Sequence, residues 1–298
     1  MQRRIAAGML ETAYHESGPP DGWPVILLHG FPYDAHSYDA AAPLLGAAGA
    51  RVIVPYLRGF GPTRFRDRRT PRSGQQGALG HDLLALMDAL GIASAVLAGH
   101  DWGGRAACIV AALWPERVRG LVSGDGYNIQ DIARAAEPST PEAERRYWYQ
   151  YYFHGDRGRR GLAANRRSLC RLLWQTWSPN WTFDEATFAL SAEAFDNPDF
   201  VEVVIHSYRH RYGLVPGDPA LDAIEQLLAA RPPITVPAIT LDGEADGVGP
   251  IGGTRHHARQ FAGWHAHRTL PRLGHNIAQE SPRDFADAVL AVRQAGSP

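Results

Sequence analysis

The chain has 298 residues, of which 45% are hydrophobic and 20% charged, and its formal net charge is −1. This composition excludes a disordered chain, and the near-equal numbers of acidic and basic residues argue against a nucleic-acid-binding protein. The sequence contains no lysine, which excludes a Schiff-base lysine, a pyridoxal phosphate site and a P-loop lysine.

Short apolar runs alternate with helical patterns along the first part of the chain. Buried strands are predicted at residues 25–28 and 52–54, followed by a helix that ends at Gly91. A third strand leads into the glycine-rich turn at 99–104, a buried helix ends before Pro115, and a fourth strand follows. Strands that alternate with helices predict a mainly parallel sheet with helices on both faces, which is the α/β class.

The pattern changes after residue 126. Residues 127–229 lack apolar strand runs and are rich in aromatic residues, arginines and helical patterns. A strand is predicted again near residue 240, and a helical pattern closes the chain. We therefore predict an α/β core formed by residues 1–126 and 230–298, interrupted by a helical cap at 127–229.

The sequence Gly-His-Asp-Trp-Gly-Gly at 99–104 follows a strand and opens a helix. This is the pattern of a nucleophile elbow, with Asp101 where esterases carry serine. The glycines fit because so sharp a turn leaves no room for a Cβ atom. The alternative interpretation is an ordinary strand–helix turn that Asp101 caps. As a nucleophile, a carboxylate suits displacement at a saturated carbon, because it forms an ester that water can later hydrolyse.

Two later residues complete a catalytic set. Asp246 lies in the loop after a predicted strand, and His275 follows a glycine shortly before the last helix. The order nucleophile, acid, histidine is typical of the catalytic triads of α/β-hydrolases. Asp125, after the preceding strand, is the rival acid, and the loop context favours Asp246.

The segment His-Gly-Phe-Pro at 29–32 supplies the electrophilic part of the predicted site. The backbone N–H groups of Phe31 and Trp102 would form an oxyanion hole. We expect His29 and Pro32 to line the substrate site. Pro32 also shapes the loop, for which a cis peptide bond is one means.

Taken together, these motifs resemble the α/β-hydrolases of the epoxide hydrolase and haloalkane or haloacetate dehalogenase group, and most closely the epoxide hydrolases. The resemblance covers nearly the whole predicted core and rests on HGFP at 29–32, RGFGPT at 58–63, GHDWGG at 99–104, GEAD at 243–246 and GH at 274–275. It implies an α/β-hydrolase fold and the opening of an epoxide to a vicinal diol through an ester on Asp101. Water activated by His275 and Asp246 would hydrolyse that ester, without a metal or an organic cofactor.

The resemblance also implies two cap tyrosines that hold and protonate the epoxide oxygen. The first lies within a Tyr-x-x-Tyr-Phe segment, matched at 149–153, and the second in a Tyr-Arg pair, matched at 208–209. By this match, Tyr149 and Tyr208 are the pair. The other tyrosines of the aromatic stretch are interpreted as packing residues.

A hydrolytic haloacetate or haloalkane dehalogenase is the alternative, with the same Asp101 ester. Haloacetate dehalogenases hold the substrate carboxylate with arginines one and four residues after the nucleophile, and the resemblance places Trp102 and Arg105 at these positions. Trp102 also lies at the position where the resemblance to haloalkane dehalogenases implies a halide-binding tryptophan. Arg105 is therefore predicted to bind substrate, with an ion pair to an acid of the core as the alternative.

Cysteine count and apolar runs bear on the compartment and the partners. The two cysteines are too few for a disulfide framework. The first residues contain no apolar run of signal-peptide length, and no later run approaches about 20 apolar residues. We expect a cytoplasmic protein with a small-molecule substrate, without nucleic-acid or membrane partners, and leave a homodimer open. No metal site is predicted, because the histidines between 256 and 267 lack zinc-ligand spacing.

Overall fold

The computed structural model describes residues 2–296. A nine-stranded sheet runs through this part of the chain. Its strands are β1 (Gln2–Ala7), β2 (Leu10–Ser17), β3 (Trp23–Leu28), β4 (Ala50–Pro55), β5 (Arg64–Phe65), β6 (Ala95–Gly99), β7 (Val118–Gly124), β8 (Ala238–Gly243) and β9 (His265–Leu270). The helices are α1 (Ala41–Ala47), α2 (Gln76–Ala89), α3 (Asp101–Leu113), α4 (Pro141–Arg146), α5 (Trp148–Tyr152), α6 (Asp156–Trp177), α7 (Glu185–Ala192), α8 (Phe200–His210), α9 (Asp222–Ala229), α10 (Ile277–Glu280) and α11 (Pro282–Ala295).

The sheet is mainly parallel, which confirms the predicted α/β class. Its strand order is β1-β2-β4-β3-β6-β7-β8-β9, with β5 paired to β2. All strands from β4 to β9 along this order run parallel, whereas β1, β2 and β5 pair antiparallel. The central strands are the most buried, because helices cover both faces of a parallel sheet. In β3, Val25, Ile26 and Leu27 have no exposed surface.

The strands at the two edges of the sheet, β1 and β9, were not predicted from the sequence. Most residues of β1 are exposed, and every residue of β9 keeps some exposed surface. Such strands carry few apolar residues, so the continuous apolar run that marks a buried strand is missing from them.

Helices alone connect β7 to β8 over the stretch where the sequence predicts a cap. Helices α4 to α9 lie here, and α6 and α8 contact each other. Helix α6 is bent at Asn165, whose φ of −124° is not helical. Among residues 2–296, no helix combines the length and the apolar character needed to cross a membrane. The cap boundaries at 126/127 and 229/230 stay a prediction.

The parallel strands all end at one edge of the sheet, and this positions the site. The loop after β3 carries Phe31, the turn after β6 carries Asp101, and the loop after β7 carries Asp125. Asp246 follows β8, and His275 follows β9. Residues far apart in the sequence therefore meet at the carboxyl ends of neighbouring strands.

Candidate active site

Asp101 occupies the tight turn between β6 and α3. Its φ of 49° lies in the left-handed region, where a residue other than glycine is strained. Glycines allow the close approach of the neighbouring loop: a Cβ atom on Gly103 would lie 2.0 Å from the carbonyl oxygen of Leu28. A Cβ atom on Gly30 would lie 2.7 Å from the Cβ of Asp101. The turn has the backbone geometry of a nucleophile elbow and presents the Asp101 carboxylate at the edge of the sheet.

The backbone of the β3 loop holds one oxygen of that carboxylate. The amide N–H of Phe31 donates to Oδ1 of Asp101 at 2.8 Å. The next peptide bond, Phe31-Pro32, is cis. Trp102 is the second residue of α3, at the end of the helix where backbone N–H groups have no partner within the helix and favour a negative charge. The two residues predicted to form an oxyanion hole thus flank the Asp101 carboxylate.

His275 lies beside two carboxylates and bonds to one of them. Its Nδ1 is 2.8 Å from Oδ2 of Asp246 and 3.6 Å from Oδ2 of Asp125. The amides of Val248 and Gly249 each donate to Oδ1 of Asp246 at 2.7 Å. The geometry therefore pairs His275 with Asp246, the acid that the loop context favours.

Different surroundings shift the pKa values of the two acids in opposite directions. Burial opposes the charge on Asp246, but the charge of His275 and the hydrogen bonds that Asp246 accepts hold its pKa below the usual value. Burial raises the pKa of Asp125 well above its usual value, and the nearby charges of Asp246 and Asp101 raise it further against the opposing charge of His275. Asp246 is thus the ionised partner, while the protonated form of Asp125 is favoured.

The second ring nitrogen of His275 takes no part in the pair with Asp246. Nε2 is buried and has no hydrogen-bond partner within residues 2–296, so it is the nitrogen that a water could use. Burial lowers the pKa of His275, but the nearby carboxylates of Asp246, Asp125 and Asp101 raise it to about 10. The charge of Asp101 contributes to this rise. Chemistry that neutralises Asp101 therefore makes His275 easier to deprotonate.

Tyr149 on α5 and Tyr208 on α8 come together over the nucleophile turn. Their ring centroids are 5.3 Å apart, and the residues are 3% and 1% exposed. The ring of Tyr208 lies 5.4 Å from that of Phe31 and 6.0 Å from that of Trp102, and Tyr149 stacks 6.5 Å from Phe31. Burial raises the pKa of both tyrosines, so both hydroxyls keep their protons.

Gln150 sets the role of the Tyr149 hydroxyl. The side-chain amide of Gln150 donates to the hydroxyl oxygen of Tyr149 at 2.9 Å. A tyrosine hydroxyl has one proton to donate, so this bond occupies an acceptor site and leaves the proton for another group. Gln150 stands at an unspecified position of the Tyr-x-x-Tyr-Phe segment, so the sequence predicted no role for it.

His29 and Pro32 act on the loop that holds Phe31. The ring of His29 is buried, and its Nδ1 lies 2.9 Å from the carbonyl oxygen of Gly30 while Nε2 accepts from the amide of Leu57 at 3.0 Å. Burial lowers the pKa of His29 to about 4. Both nitrogens of this neutral ring are therefore occupied by backbone groups, and none is left for the substrate contact that we expected. The carbonyl oxygen of Pro32 accepts from the indole of Trp174 at 2.7 Å, which ties this loop to α6.

Two arginines belong to the surroundings of the candidate site: Arg105, which the sequence predicted to bind substrate, and Arg211, which it missed. Arg105, one turn of α3 after Asp101, is 6% exposed and forms no ion pair with any acid in residues 2–296, so the predicted alternative of a core ion pair does not occur there. The guanidinium carbon of Arg211 lies 4.2 Å from the ring centroid of Tyr208. Arg211 follows Tyr208 by three residues, which is the spacing of neighbours on a helix face and the only signal that could have found it.

His275 and the two acids beside it form the one group of side chains in the described residues whose ligand atoms lie close enough to hold a metal ion. Atoms of Asp125, Asp246 and His275 lie within 4.8 Å of one another. Nδ1 of His275 and both oxygens of Asp246 already take part in hydrogen bonds. The arrangement therefore fits a histidine oriented by an acid better than a set of metal ligands.

Comparison with known proteins agrees with the fold. The family described as alpha/beta hydrolase fold matches residues 24–277. The chain belongs to this family. The crystal structure of a candidate epoxide hydrolase from Klebsiella pneumoniae is similar over 98% of this chain and 97% of the other, with 48% identity and a TM-score of 0.96. The predicted membership of the α/β-hydrolases is confirmed.

Curated relatives of this α/β-hydrolase carry two kinds of name. Epoxide hydrolase B of Mycobacterium tuberculosis strain H37Rv is 34% identical over 152 residues, which cover 45% of this chain and 41% of the relative. A haloalkane dehalogenase of Psychrobacter cryohalolentis is 34% identical over 116 residues, which cover 39% of this chain and 38% of the relative. The chain thus spans about two fifths of the length of the curated relatives that it matches.

Proposed function

We propose that this α/β-hydrolase opens an epoxide to a vicinal diol through an ester on Asp101. The observation that carries the proposal is the placement of two buried, protonated tyrosines over a carboxylate whose one oxygen is held by the Phe31 amide. Hydroxyl donors opposite a nucleophilic carboxylate suit a leaving oxygen that stays attached to the product and gains negative charge. The relatives named epoxide hydrolase support the same reaction.

In the first step, Asp101 attacks one carbon of the epoxide. Because Oδ1 accepts the Phe31 N–H, Oδ2 is the free oxygen and forms the new carbon–oxygen bond. The ring carbon–oxygen bond breaks, and its electron pair stays on the epoxide oxygen. Tyr149 and Tyr208 donate hydrogen bonds to this oxygen as its charge develops, which lowers the barrier selectively. One of the two tyrosines gives its proton to this oxygen and completes the alcohol, and water later returns a proton to that tyrosine.

In the second step, water hydrolyses the ester. Nε2 of His275 takes a proton from a water, and the oxygen of that water attacks Cγ of Asp101. Oδ1 becomes the oxyanion. It already accepts from the Phe31 amide, and we expect the Trp102 amide to be the second donor. Collapse of this intermediate breaks the bond between Cγ and the substrate oxygen. That oxygen takes the proton from the imidazolium of His275, and the diol is released. Asp246 accepts the Nδ1–H of His275 throughout and stabilises the imidazolium.

The two steps are coupled through the charge of Asp101. In the free enzyme this charge helps to keep His275 protonated. Ester formation removes it, so the pKa of His275 falls when the histidine is needed as a base. Formation of the ester on Asp101 thus makes it easier for His275 to act as the general base.

A hydrolytic dehalogenase is the second candidate, and one buried hydrogen-bond donor without a partner favours it. The indole nitrogen of Trp102 is buried beside the nucleophile and has no hydrogen-bond partner in the part of the chain that is described. An N–H group in this position could solvate a departing halide, as the name of the haloalkane dehalogenase relative suggests. The Asp101 ester and its hydrolysis would be unchanged.

Parallel product assays separate the two reactions. The purified enzyme is incubated with styrene oxide, with a bromoalkane and with chloroacetate, and the diol and the free halide are quantified. We expect diol from the epoxide and no enzymatic halide release, with Asp101→Asn as the inactive control. Halide release without any diol from a wider epoxide panel would replace the proposed reaction by dehalogenation.

A further inference from the structure

The end of helix α6 contacts both loops that carry the acid and the general base. The carbonyl oxygen of Trp177, the last residue of α6, accepts from the amide N–H of Gly247 at 2.9 Å and from the amide N–H of His275 at 3.2 Å. The close approach requires a glycine, because a Cβ atom on Gly274 would lie 2.4 Å from the Cα of Ser178. One helix end therefore joins the loop of the acid to the loop of the base.

Ser178, the residue after α6, uses its hydroxyl group fully. The hydroxyl oxygen accepts from the amide N–H of His275 at 3.1 Å and from that of Asn276 at 3.4 Å. The hydroxyl proton is donated to Oε1 of Glu280 at 2.6 Å. A serine hydroxyl has one proton and two acceptor positions, so all three are occupied. Ser178 is 1% exposed, and removal of its hydroxyl would leave buried polar groups without their partner.

Glu280, the last residue of α10, accepts hydrogen bonds from three donors around the base. Besides the hydroxyl of Ser178 on Oε1, the amide N–H of Asn276 donates to Oε1 at 3.1 Å and that of Gly274 donates to Oε2 at 2.8 Å. These two amides belong to the residues on either side of His275. Hydrogen bonds to a carboxylate are stronger than those between neutral groups. Glu280 therefore fixes the backbone on both sides of the general base.

We infer that Ser178 and Glu280 are positioning residues for ester hydrolysis. They hold the backbone of His275 at the place where its Nδ1 meets Asp246. The inference rests on the proposed function for the ester and on these contacts for the positioning. Attack by Asp101 requires no base, so only the second step depends on where the imidazole lies. A general base must lie within hydrogen-bond distance of its water, and a small displacement from that place slows proton transfer.

Single-turnover experiments with styrene oxide test the inference, because they give separate rates for alkylation and for ester hydrolysis. Glu280→Gln keeps the shape of the side chain but places an NH₂ group against donors, and Ser178→Ala removes the hydroxyl. We expect both variants to slow hydrolysis by about 10- to 100-fold and to leave alkylation nearly unchanged, so that the ester accumulates. Intact-protein mass spectrometry measures it. Asp284→Asn is the matched control and should keep both rates, since it alters an exposed serine–carboxylate bond of the same 2.6 Å, from Ser281.

A proton NMR measurement tests the positioning in the free enzyme, without turnover. The Nδ1–H of His275, which Asp246 accepts, should give a strongly downfield resonance that is assigned by its absence in His275→Gln. We expect this resonance to move upfield or to disappear in Glu280→Gln and Ser178→Ala, and to stay unchanged in Asp284→Asn. Circular dichroism confirms that each variant is folded.

The outcomes separate the inference from the proposed function. Diol formation with an unchanged ratio of hydrolysis to alkylation in both variants would overturn the positioning role and leave epoxide opening intact. Equal slowing of both steps would also overturn it, because the two residues would then serve the fold rather than the base. If the wild type formed no ester from any epoxide, loss of the His275 resonance in both variants would support the positioning role and contradict only the proposed reaction. Unchanged resonances in that case would overturn both.

Discussion

The amide N–H of Phe31 lies 2.8 Å from Oδ1 of Asp101, so the nucleophile is held by the group that would later stabilise its oxyanion. One hydrogen bond thus orients the carboxylate in the free enzyme and assigns different roles to its two oxygens. The same donor can act on the tetrahedral intermediate without a rearrangement, which is what a preorganised site requires.

Replacing the general base should trap the ester. In His275→Gln the attack by Asp101 does not need a base, whereas hydrolysis of the ester does. Intact-protein mass spectrometry after incubation with styrene oxide should therefore show an adduct of substrate mass, located by proteolysis to the peptide that contains Asp101. Absence of this adduct with a substrate that the wild type converts would contradict the two-step mechanism. Asp101→Asn serves as the control without a nucleophile.

The two acids near His275 should respond differently to the same substitution. Asp246→Asn removes the ionised partner of Nδ1 and favours the wrong tautomer, so we expect a loss in turnover of roughly 10⁴-fold, as for the amidated acid of a triad. Asp125→Asn replaces a carboxylic acid, whose protonated form is favoured, by a group of the same shape and should retain most activity. Steady-state kinetics on both variants checks this, and the reverse order of effects would transfer the role of the acid to Asp125.

Removing both cap hydroxyls should block epoxide opening. Each charged hydrogen bond contributes about 1.5–3 kcal/mol, so Tyr149→Phe/Tyr208→Phe should lower kcat/KM for an epoxide by about 10²–10⁴-fold. Phenylalanine keeps the aromatic packing around Phe31, so Tm should change little. Tyr151→Phe is the matched control, since its ring is partly exposed. Unchanged turnover in the double variant would show that the cap tyrosines have another role.

The rate of ester hydrolysis should rise with pH. His275 must be neutral to accept a proton, and its pKa is raised to about 10 while Asp101 is charged. Esterification removes the Asp101 contribution, so the hydrolysis step should show an apparent pKa below that value. Single-turnover experiments between about pH 6 and 9 should give hydrolysis rates that increase with pH, while alkylation varies less. A hydrolysis rate that falls over this range would argue against His275 as the general base.

The pair Arg58–Asp82 should be a major contributor to stability. The Arg58 side chain is 1% exposed and bonds Asp82 through two nitrogens at 2.6 and 2.7 Å. Asp82→Ala leaves this guanidinium buried without its partner, which should lower the free energy of unfolding by about 3–5 kcal/mol. Urea denaturation measures the change. Asp67→Ala, which removes the carboxylate of an exposed pair with Arg69, should leave the transition nearly unchanged.

The sequence by itself determined the fold class, the nucleophile turn and the order of the site motifs. Continuous apolar runs mark buried parallel strands, and such strands end at a common edge, so the residues that follow them must converge there. The elbow could be identified because its tight turn leaves no room for side chains at the glycine positions. A Cβ atom on Gly103, for example, would collide with the backbone of Leu28. These features depend on local backbone geometry, and local geometry restricts which residue types can stand at each position of a short motif.

Only the tertiary structure decided which side chains touch. Asp125 and Asp246 both follow core strands, and the difference between 2.8 and 3.6 Å to His275 arises from how their loops pack. The rings of Tyr149 and Tyr208 meet because α5 and α8 fold over the same turn, and Arg211 reaches the site by stacking on Tyr208. His29 bonds the backbone because burial between two loops occupies both of its nitrogens. Except for the pair of Tyr208 and Arg211, which are three residues apart, such contacts join distant segments, and no spacing in the sequence can specify those.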